Sequence, residues 1–320
     1  MAYPHPARVR RVAIIGAGTI GASWAAWFLG RGIAVTAYDP APEGEEFLKR
    51  FIADAWPALK RIGLAAGADP SRITFVKDPA KAVEGVDFVQ ESAYERLELK
   101  QELLAKIDAA LPAERIIASS TSSMTPQSLA KNLARPERLV VGHPFNPPHM
   151  IPLVEVVGGD AAQAAVDWTM AFYKAVGKHP IKLNKAVFGH VANRLQFALW
   201  REVVHLVAEG VASVADVDAA IAYGPGLRWA IMGPSLVGHL GSHEGGLKRY
   251  LEQFAPVFEA GWAELGNPSF TPEIRDKLVA GVEEEAGGRS LAELGRERDD
   301  CLIGILEVLA RNRKKPLAEE

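Results

Sequence analysis

A histidine and a glutamate lie close together in a proline-rich part of the chain. His143 opens the run His-Pro-Phe-Asn-Pro-Pro, and Glu155 follows shortly after it. An imidazole between stiff proline turns can take a proton from a hydroxyl near neutral pH, and a carboxylate can hold the ring's tautomer and stabilise its cation. The oxidation of an alcohol needs a base that takes the hydroxyl proton, and a pair of this kind supplies one. Many such pairs are only surface neighbours, so the weight of this one depends on the rest of the chain.

A glycine-rich motif near the start of the chain supplies that context. Gly16-Ala17-Gly18-Thr19-Ile20-Gly21 directly follows an apolar run and leads into a helical pattern. In the dinucleotide-binding fingerprint the first glycine permits a tight turn and the second lets a pyrophosphate approach the backbone at a helix N-terminus. The third lets the helix pack closely on the strand. We therefore expect Gly16, Gly18, Thr19, Ile20 and Gly21 to form a cofactor site.

Asp39 predicts which nicotinamide cofactor binds there. It ends the second predicted strand, at the distance from the glycines that the fingerprint requires. A carboxylate at this position accepts hydrogen bonds from the ribose hydroxyls and repels a 2′-phosphate, and no arginine follows it in Pro40-Ala41-Pro42. The sequence therefore favours NAD over NADP. The alternative is that the glycine motif is an ordinary turn in an unrelated α/β protein and binds no cofactor.

The elements that must position these residues alternate between strands and helices. Apolar runs predict strands at 12–15, 33–38, 73–76, 88–89, 115–118, 139–141, 153–157 and 180–183, with helices at 23–29, 42–66, 97–111 and 126–133. This alternation implies an α/β fold, a Rossmann-type mostly parallel sheet covered on both faces. After Lys185 the pattern becomes helical, beginning with one long helix over 188–210. We therefore predict an NAD-binding domain over 1–185 and an all-α substrate and dimerisation domain over 186–320.

Composition narrows the partners. The 320 residues are 48% hydrophobic and carry a formal net charge of −3, which offers no general attraction to nucleic acid or to an anionic membrane. Cys301 is the single cysteine and is expected to be a buried helical thiol in a cytoplasmic protein. His239 and His243 lie four residues apart without a third ligand, so no metal site is expected. The apolar content of the second domain predicts a homodimer formed through its helices.

Four polar positions then join the glycine motif. Ser122 follows one predicted strand, His143 and Glu155 come after it, and Asn193 lies early in the long helix. With these spacings the chain resembles the 3-hydroxyacyl-CoA dehydrogenase family over nearly its whole length. The resemblance implies that His143 removes the hydroxyl proton as hydride leaves for the nicotinamide, that Glu155 orients His143, and that Ser122 and Asn193 bind the substrate oxygen and position the cofactor. It also implies cofactor contacts from Glu95, Lys100 and Asn146.

Two departures from the acyl-CoA members bear on the substrate. The segment from Asp39 to Ile73 is short and contains only two lysines, Lys49 and Lys60, and Ser120 stands where acyl-CoA enzymes usually have asparagine. Both features are similar to the branch that acts on small free L-3-hydroxy acids, which includes enzymes of L-carnitine and L-gulonate and the lambda-crystallins. A short-chain 3-hydroxyacyl-CoA dehydrogenase and a catalytically silent, crystallin-like NAD-binding protein remain the alternatives.

Within that branch, Phe145 and residues of the predicted helical domain favour a carnitine-like substrate. A free carboxylate would suit a guanidinium, from Arg201 or Arg228, and a trimethylammonium group would suit aromatic faces. The aromatic candidates are Phe145, Trp200, Tyr223 and Trp229. The alternatives are that the tryptophans belong to a helical core and that the arginines form salt bridges.

Overall fold

The computed structural model describes residues 3–242 and 244–313, and its contacts divide the chain into two compact units. The first unit extends to Arg194, and the second begins at Leu195. Within the first unit, residues 189–192 form hydrogen bonds with earlier parts of the chain, as described below. The predicted domain boundary after residue 185 stays a prediction.

An eight-stranded sheet forms the centre of the first unit. Its strands are β1 (Arg11–Ile15), β2 (Ala34–Tyr38), β3 (Ile73–Val76), β4 (Phe88–Glu91), β5 (Ile116–Ser119), β6 (Leu139–Pro144), β7 (Leu153–Val157) and β8 (His179–Lys182). They lie in the order β3-β2-β1-β4-β5-β6-β7-β8. Every neighbouring pair is parallel except β6 and β7, which are antiparallel. This arrangement confirms the predicted Rossmann-type, mostly parallel sheet.

Helices cover both faces of this sheet. They are α1 (Thr19–Gly30), α2 (Gly44–Ile62), α3 (Pro79–Ala82), α4 (Leu97–Ala110), α5 (Pro126–Ala130) and α6 (Gln163–Ala175). Successive side chains of a strand point to opposite faces, so Val12 and Ile14 join one apolar cluster with α1, α2 and α6, whereas Ala13 and Ile15 join another with α3, α4 and α5. Burial on both faces explains why the strands read as continuous apolar runs.

The sequence patterns did not identify α6. Because β7 and β8 are parallel, the chain must cross over between them, and α6 makes that connection. Its face packs Trp168, Phe172 and Tyr173 against the sheet, and Phe172 lies 4.5 Å from Phe88 between ring centroids. The helix therefore contributes aromatic core rather than site residues.

The second unit is helical. The long helix α7 (Ala192–Ala208) starts within the first unit, and it is followed by α8 (Val214–Tyr223), α9 (Pro225–Trp229), α10 (Pro234–Leu240), α11 (Gly246–Glu264), α12 (Pro272–Ala286) and α13 (Leu291–Arg313). Cys301 lies in α13 but is exposed, so the expectation that it is buried is wrong. Across residues 3–242 and 244–313, none of the helices combines the length and the hydrophobicity that crossing a membrane requires.

Candidate active site

The glycine motif has the geometry that its sequence predicts. The turn between β1 and α1 places Gly16 at a φ of +94°, in the left-handed region that favours glycine. A Cβ on Gly21 would lie 1.8 Å from the Gly16 carbonyl oxygen, so only glycine lets α1 start this close to the turn. Gly18 precedes α1 with no side-chain cap, and a Cβ there would meet nothing within 4 Å. The backbone at Gly18 therefore lies beside open space.

Asp39 is fixed beside this turn. Its carboxylate accepts hydrogen bonds from the backbone N–H of Ala17 at 2.7 Å and of Ala41 at 2.8 Å. Parallel pairing of β1 and β2 explains the position, because Ile15 and Tyr38 lie side by side where the two strands end. The acidic side chain and the glycine turn thus meet at one edge of the sheet, where a dinucleotide's ribose and pyrophosphate would bind together.

A cavity of about 860 Å³ opens over this edge. Gly16, Gly18, Thr19, Ile20 and Asp39, five of the residues predicted to bind the cofactor, line it. Sequence reasoning missed much of its wall, which includes Tyr38, Phe47, Ser92, Leu99 and Leu103. The sequence marks these residues only indirectly, because they lie at or just after strand ends or on α2 and α4. The uncapped amides, the glycine close contacts and the acidic ribose position all fit NAD.

Lys100 lies apart from this cavity wall. It is 1% exposed, and its Nζ is 2.6 Å from Glu91, 3.5 Å from Glu95 and 2.9 Å from the Ala93 carbonyl oxygen. A buried ammonium with two carboxylates is held in one place. Lys100 therefore fixes the end of β4, and its predicted contact with the cofactor stays a prediction.

Glu95 organises the Ser/Thr loop after β5. Its carboxylate accepts hydrogen bonds from the hydroxyls of Thr121 at 2.6 Å and Ser123 at 2.8 Å, and from the Ser122 backbone N–H at 2.9 Å. Burial acts to raise the pKa of Glu95, but these hydrogen bonds and the charge of Lys100 outweigh it and lower the pKa to about 2. Glu95 is therefore ionised, and it brings the predicted residue Ser122 into a defined position.

His143 and Glu155 form a direct pair. The sequence interpretation put His143 in a turn after its strand, which is wrong, because β6 continues to Pro144. In the antiparallel register His143 lies opposite Glu155 on β7, and residues so placed bring their side chains together. His143 Nδ1 lies 2.9 Å from Glu155 Oε2, and both residues are buried. Glu155 is not on an edge strand, since β7 lies between β6 and β8.

The second oxygen of Glu155 is also occupied. Glu155 Oε1 accepts hydrogen bonds from the backbone N–H groups of Val191 at 2.8 Å and Ala192 at 3.0 Å, where α7 begins. Burial acts to raise the pKa of Glu155, but the hydrogen bonds from His143 and these two amides lower it below its ordinary value. An ionised Glu155 can only accept, so Nδ1 of His143 carries the proton. Nε2 then bears the free lone pair that a general base uses.

The remaining predicted residues lie near this pair or in the second unit. Asn193 is the second residue of α7 and is half-buried, directly after the amide of Ala192 that binds Glu155. Phe145 is half-buried and Asn146 exposed, both directly after β6. The five candidates for substrate specificity in the second unit are exposed there: Trp200, Arg201, Tyr223, Arg228 and Trp229.

These positions can be compared with the alternatives of a helical core for the tryptophans and salt bridges for the arginines. Trp200 and Trp229 are 44% and 42% exposed, so neither is in a core of the described second unit. Neither Arg201 nor Arg228 has an ion pair among the residues that the structure describes. No cluster of three or more potential metal ligands occurs within 3–242 and 244–313, and His243 lies outside these described residues.

His190 belongs to the same region and was not identified from the sequence as a site residue. It is 1% exposed, and its ring centroid is 4.7 Å from that of His143. The chain has other histidines without a role, and no spacing marks this one. Only the packing of residues 187–192 against the strand ends reveals it.

Comparison with known proteins agrees with this geometry. Residues 11–186 match the family profile described as "3-hydroxyacyl-CoA dehydrogenase, NAD binding domain", and residues 189–279 match that of the C-terminal domain. An L-carnitine dehydrogenase of Streptomyces griseus is 52% identical over 96% of this chain and 92% of its own length. An L-carnitine dehydrogenase of Bacillus cereus is 44% identical over 95% of this chain and 93% of its own.

Solved structures give the same fold. The NAD-dependent 5-formyl-3-hydroxy-2-methylpyridine 4-carboxylic acid 5-dehydrogenase superposes with a TM-score of 0.80 at 30% identity, covering 94% of this chain and 99% of that one. The (S)-3-hydroxybutyryl-CoA dehydrogenase of Ralstonia eutropha gives a TM-score of 0.62 at 27% identity, covering 85% and 94% of the two chains.

Proposed function

The chain belongs to the 3-hydroxyacyl-CoA dehydrogenase family, and from this premise we propose that it oxidises the 3-hydroxyl of L-carnitine or a close free 3-hydroxy acid, with His143 as general base. The enzyme is an NAD-dependent oxidoreductase that acts on a CH–OH group. One observation supports the proposed role of His143. Its Nδ1 is hydrogen-bonded to a buried, ionised Glu155, which leaves Nε2 to take a proton.

The proposed chemistry follows from this pair. His143 Nε2 removes the hydroxyl proton as the carbon–hydrogen bond breaks, and Glu155 stabilises the resulting imidazolium. NAD, when bound at the glycine turn and Asp39, supplies the hydride acceptor. Ser122 and Asn193 are proposed to donate hydrogen bonds to the substrate oxygen, which requires both to face the free nitrogen of His143. A positioned base of this kind contributes about 10²–10⁴-fold in rate.

A free acid is favoured over a CoA thioester by similarity to the carnitine enzymes at 44–52% identity over nearly the whole chain. The similarity to a 3-hydroxybutyryl-CoA dehydrogenase is lower, at 27%. We propose Arg201 or Arg228 for the substrate carboxylate and Phe145, Trp200 or Trp229 for a trimethylammonium group. A good cation–π contact contributes about 0.5–2 kcal/mol.

The substrate experiment is a panel that measures NADH formation. L-carnitine, L-gulonate, 3-hydroxybutyrate and 3-hydroxybutyryl-CoA are each offered with NAD, and L-carnitine is expected to give the highest kcat/KM. Efficient turnover of the thioester with none of the free acids would contradict the proposal. D-carnitine is the matched control, because it has the same charges but presents its hydroxyl with the opposite hand.

A second experiment addresses the silent, crystallin-like alternative. His143→Ala is expected to bind NADH as the wild type does, because His143 does not line the cavity that holds the glycine turn and Asp39. It should lose turnover of every substrate. Absence of turnover in the wild type with all 3-hydroxy compounds would instead support the silent protein.

We also propose a homodimer through the helical unit, located in the cytoplasm. Large apolar side chains are exposed along α7 and α11 of that unit: Leu195, Phe197, Trp200, Leu251, Val257, Phe258 and Trp262. A monomer seldom exposes so much apolar surface unless it binds something. Light scattering should give twice the chain mass of 34.5 kDa, and a monomer at micromolar concentration would contradict the dimer.

A further inference from the structure

His190 occupies a backbone conformation that is unfavourable for its residue type. Among the described residues it is the sole non-glycine with a positive φ, at +50°, and it follows Gly189 at +73°. Side chains with a Cβ are strained in this region, and such strain persists only where surrounding contacts enforce it. A glycine would relieve the strain, so the imidazole must contribute something that glycine cannot.

The ring makes one hydrogen bond and leaves one nitrogen without a partner. His190 Nε2 lies 2.9 Å from the Thr121 carbonyl oxygen, and because a carbonyl only accepts, Nε2 carries the proton. Nδ1 is buried and has no hydrogen-bond partner within the described part of the chain. A phenyl ring would fill the same space without this unsatisfied atom. The bond to Thr121 is therefore the feature that distinguishes histidine from phenylalanine here.

That bond ties two parts of the candidate site together. Thr121 lies beside Ser122 in the loop that Glu95 organises, and Gly189 N–H also donates to the Ser122 carbonyl at 3.2 Å. On the other side of His190, the next two amides, of Val191 and Ala192, hold Glu155. The segment 189–192 thus connects the Ser122 loop to the carboxylate that orients His143.

We propose that His190 is a positioning residue of the acid–base site. It clamps segment 189–192 onto the Ser122 loop and keeps the side chains of Glu155 and His143 aligned. The proposal rests on the proposed function. The ring also packs against His143 at a centroid distance of 4.7 Å and an interplanar angle of 40°. It therefore limits the movement of the proposed base as well as that of its carboxylate.

Proton uptake by His143 favours a neutral His190, since a second cation beside His143 would oppose formation of the imidazolium. Burial lowers the pKa of His190, the Thr121 carbonyl raises it, and the neighbouring His143 lowers it again. The carboxylates of Glu155 and Glu95 act to raise it, and the net direction is downward. His190 is therefore neutral when the site operates, with its proton on Nε2.

Two variants separate the clamp from simple packing. His190→Phe keeps a ring of similar size but cannot bond to Thr121, whereas His190→Gln retains a side-chain N–H donor. Without the clamp, the amides of Val191 and Ala192 move away from Glu155, which then loses two hydrogen bonds that lower its pKa. In His190→Phe we therefore expect the acid limb of the kcat/KM profile with L-carnitine to move to higher pH. We expect kcat to fall about 10–100-fold, as small misplacements of catalytic groups do.

The controls keep the two proposals distinguishable. His190→Gln should restore both the pH profile and most of kcat, and KM for NAD should change in neither variant. A wild-type pH profile in His190→Phe, or no recovery in His190→Gln, overturns the clamp. If the wild type turns over no 3-hydroxy acid, the proposed function fails instead. The clamp is then tested by NMR titration of the His143 ring. The titration curve should change in His190→Phe and not in His190→Gln. An unchanged curve in His190→Phe overturns the clamp.

Discussion

Glu155→Gln is the substitution that most directly tests the proposed acid–base pair. Glu155 accepts three hydrogen bonds, from His143 Nδ1 at 2.9 Å and from the amides of Val191 and Ala192 at 2.8 and 3.0 Å. A glutamine has one acceptor oxygen and one NH₂ group. If its oxygen keeps the two amides, the NH₂ group faces His143 and forces Nδ1 to become the acceptor. The proton of a neutral His143 then resides on Nε2, which cannot act as a base.

The size of the effect follows from this change of tautomer. Loss of a general base costs about 10²–10⁴-fold in rate, which corresponds to about 2.7–5.4 kcal/mol in the activation barrier. If glutamine adopts the opposite orientation, its NH₂ group faces the part-buried N–H donors of Val191 and Ala192 instead. A fully buried donor left without an acceptor costs about 1–3 kcal/mol of stability, and a part-buried donor costs less. Either orientation therefore lowers kcat, stability or both.

The assay measures NADH formation from L-carnitine at saturating NAD, together with NADH binding by fluorescence. We expect kcat to fall by the stated factor while NADH binding is unchanged, because Glu155 does not line the cavity of the glycine turn. Glu98→Gln is the matched control, since Glu98 is an exposed glutamate on α4. A kcat for Glu155→Gln within tenfold of the wild type, together with an unchanged melting temperature, would refute the reasoning.

Two further predictions concern the glycine turn and the Ser/Thr loop. Gly21→Ala should lower the melting temperature and abolish NAD binding, because its Cβ would lie 1.8 Å from the Gly16 carbonyl oxygen, whereas Gly18→Ala should fold normally and only weaken NAD binding. Isothermal titration and thermal unfolding check this pair, and equal melting temperatures for the two variants would contradict it. The lowered pKa of Glu95 predicts a stabilising contribution that is present above its ordinary pKa and is lost as the pH falls towards about 2. The difference in melting temperature between the wild type and Glu95→Gln should therefore shrink on acidification, and a difference that does not depend on pH would count against this explanation.

The sequence predicted the cofactor edge of the fold because that edge depends on local chain geometry. A strand, a tight turn and a helix N-terminus follow one another within residues 11–30, and Asp39 ends the next strand. Each step leaves a local signature, as an apolar run, a glycine or an acidic residue after a strand. The alternation of strands and helices predicted the sheet for the same reason. The helix α6 was missed, although the parallel pairing of β7 and β8 requires a crossover there.

The residues of the proposed acid–base site were predicted as a set, but their arrangement was not. No local pattern shows that β7 is antiparallel to β6, and only that pairing puts Glu155 opposite His143. The Val191 and Ala192 amides and the His190 ring come from a segment distant in sequence, so their contacts depend on how it packs against the strand ends. The sequence by itself determined the residue types that proton transfer and NAD binding need. Tertiary structure alone decided the protonated nitrogen of His143, because strand register and buried hydrogen bonds select it.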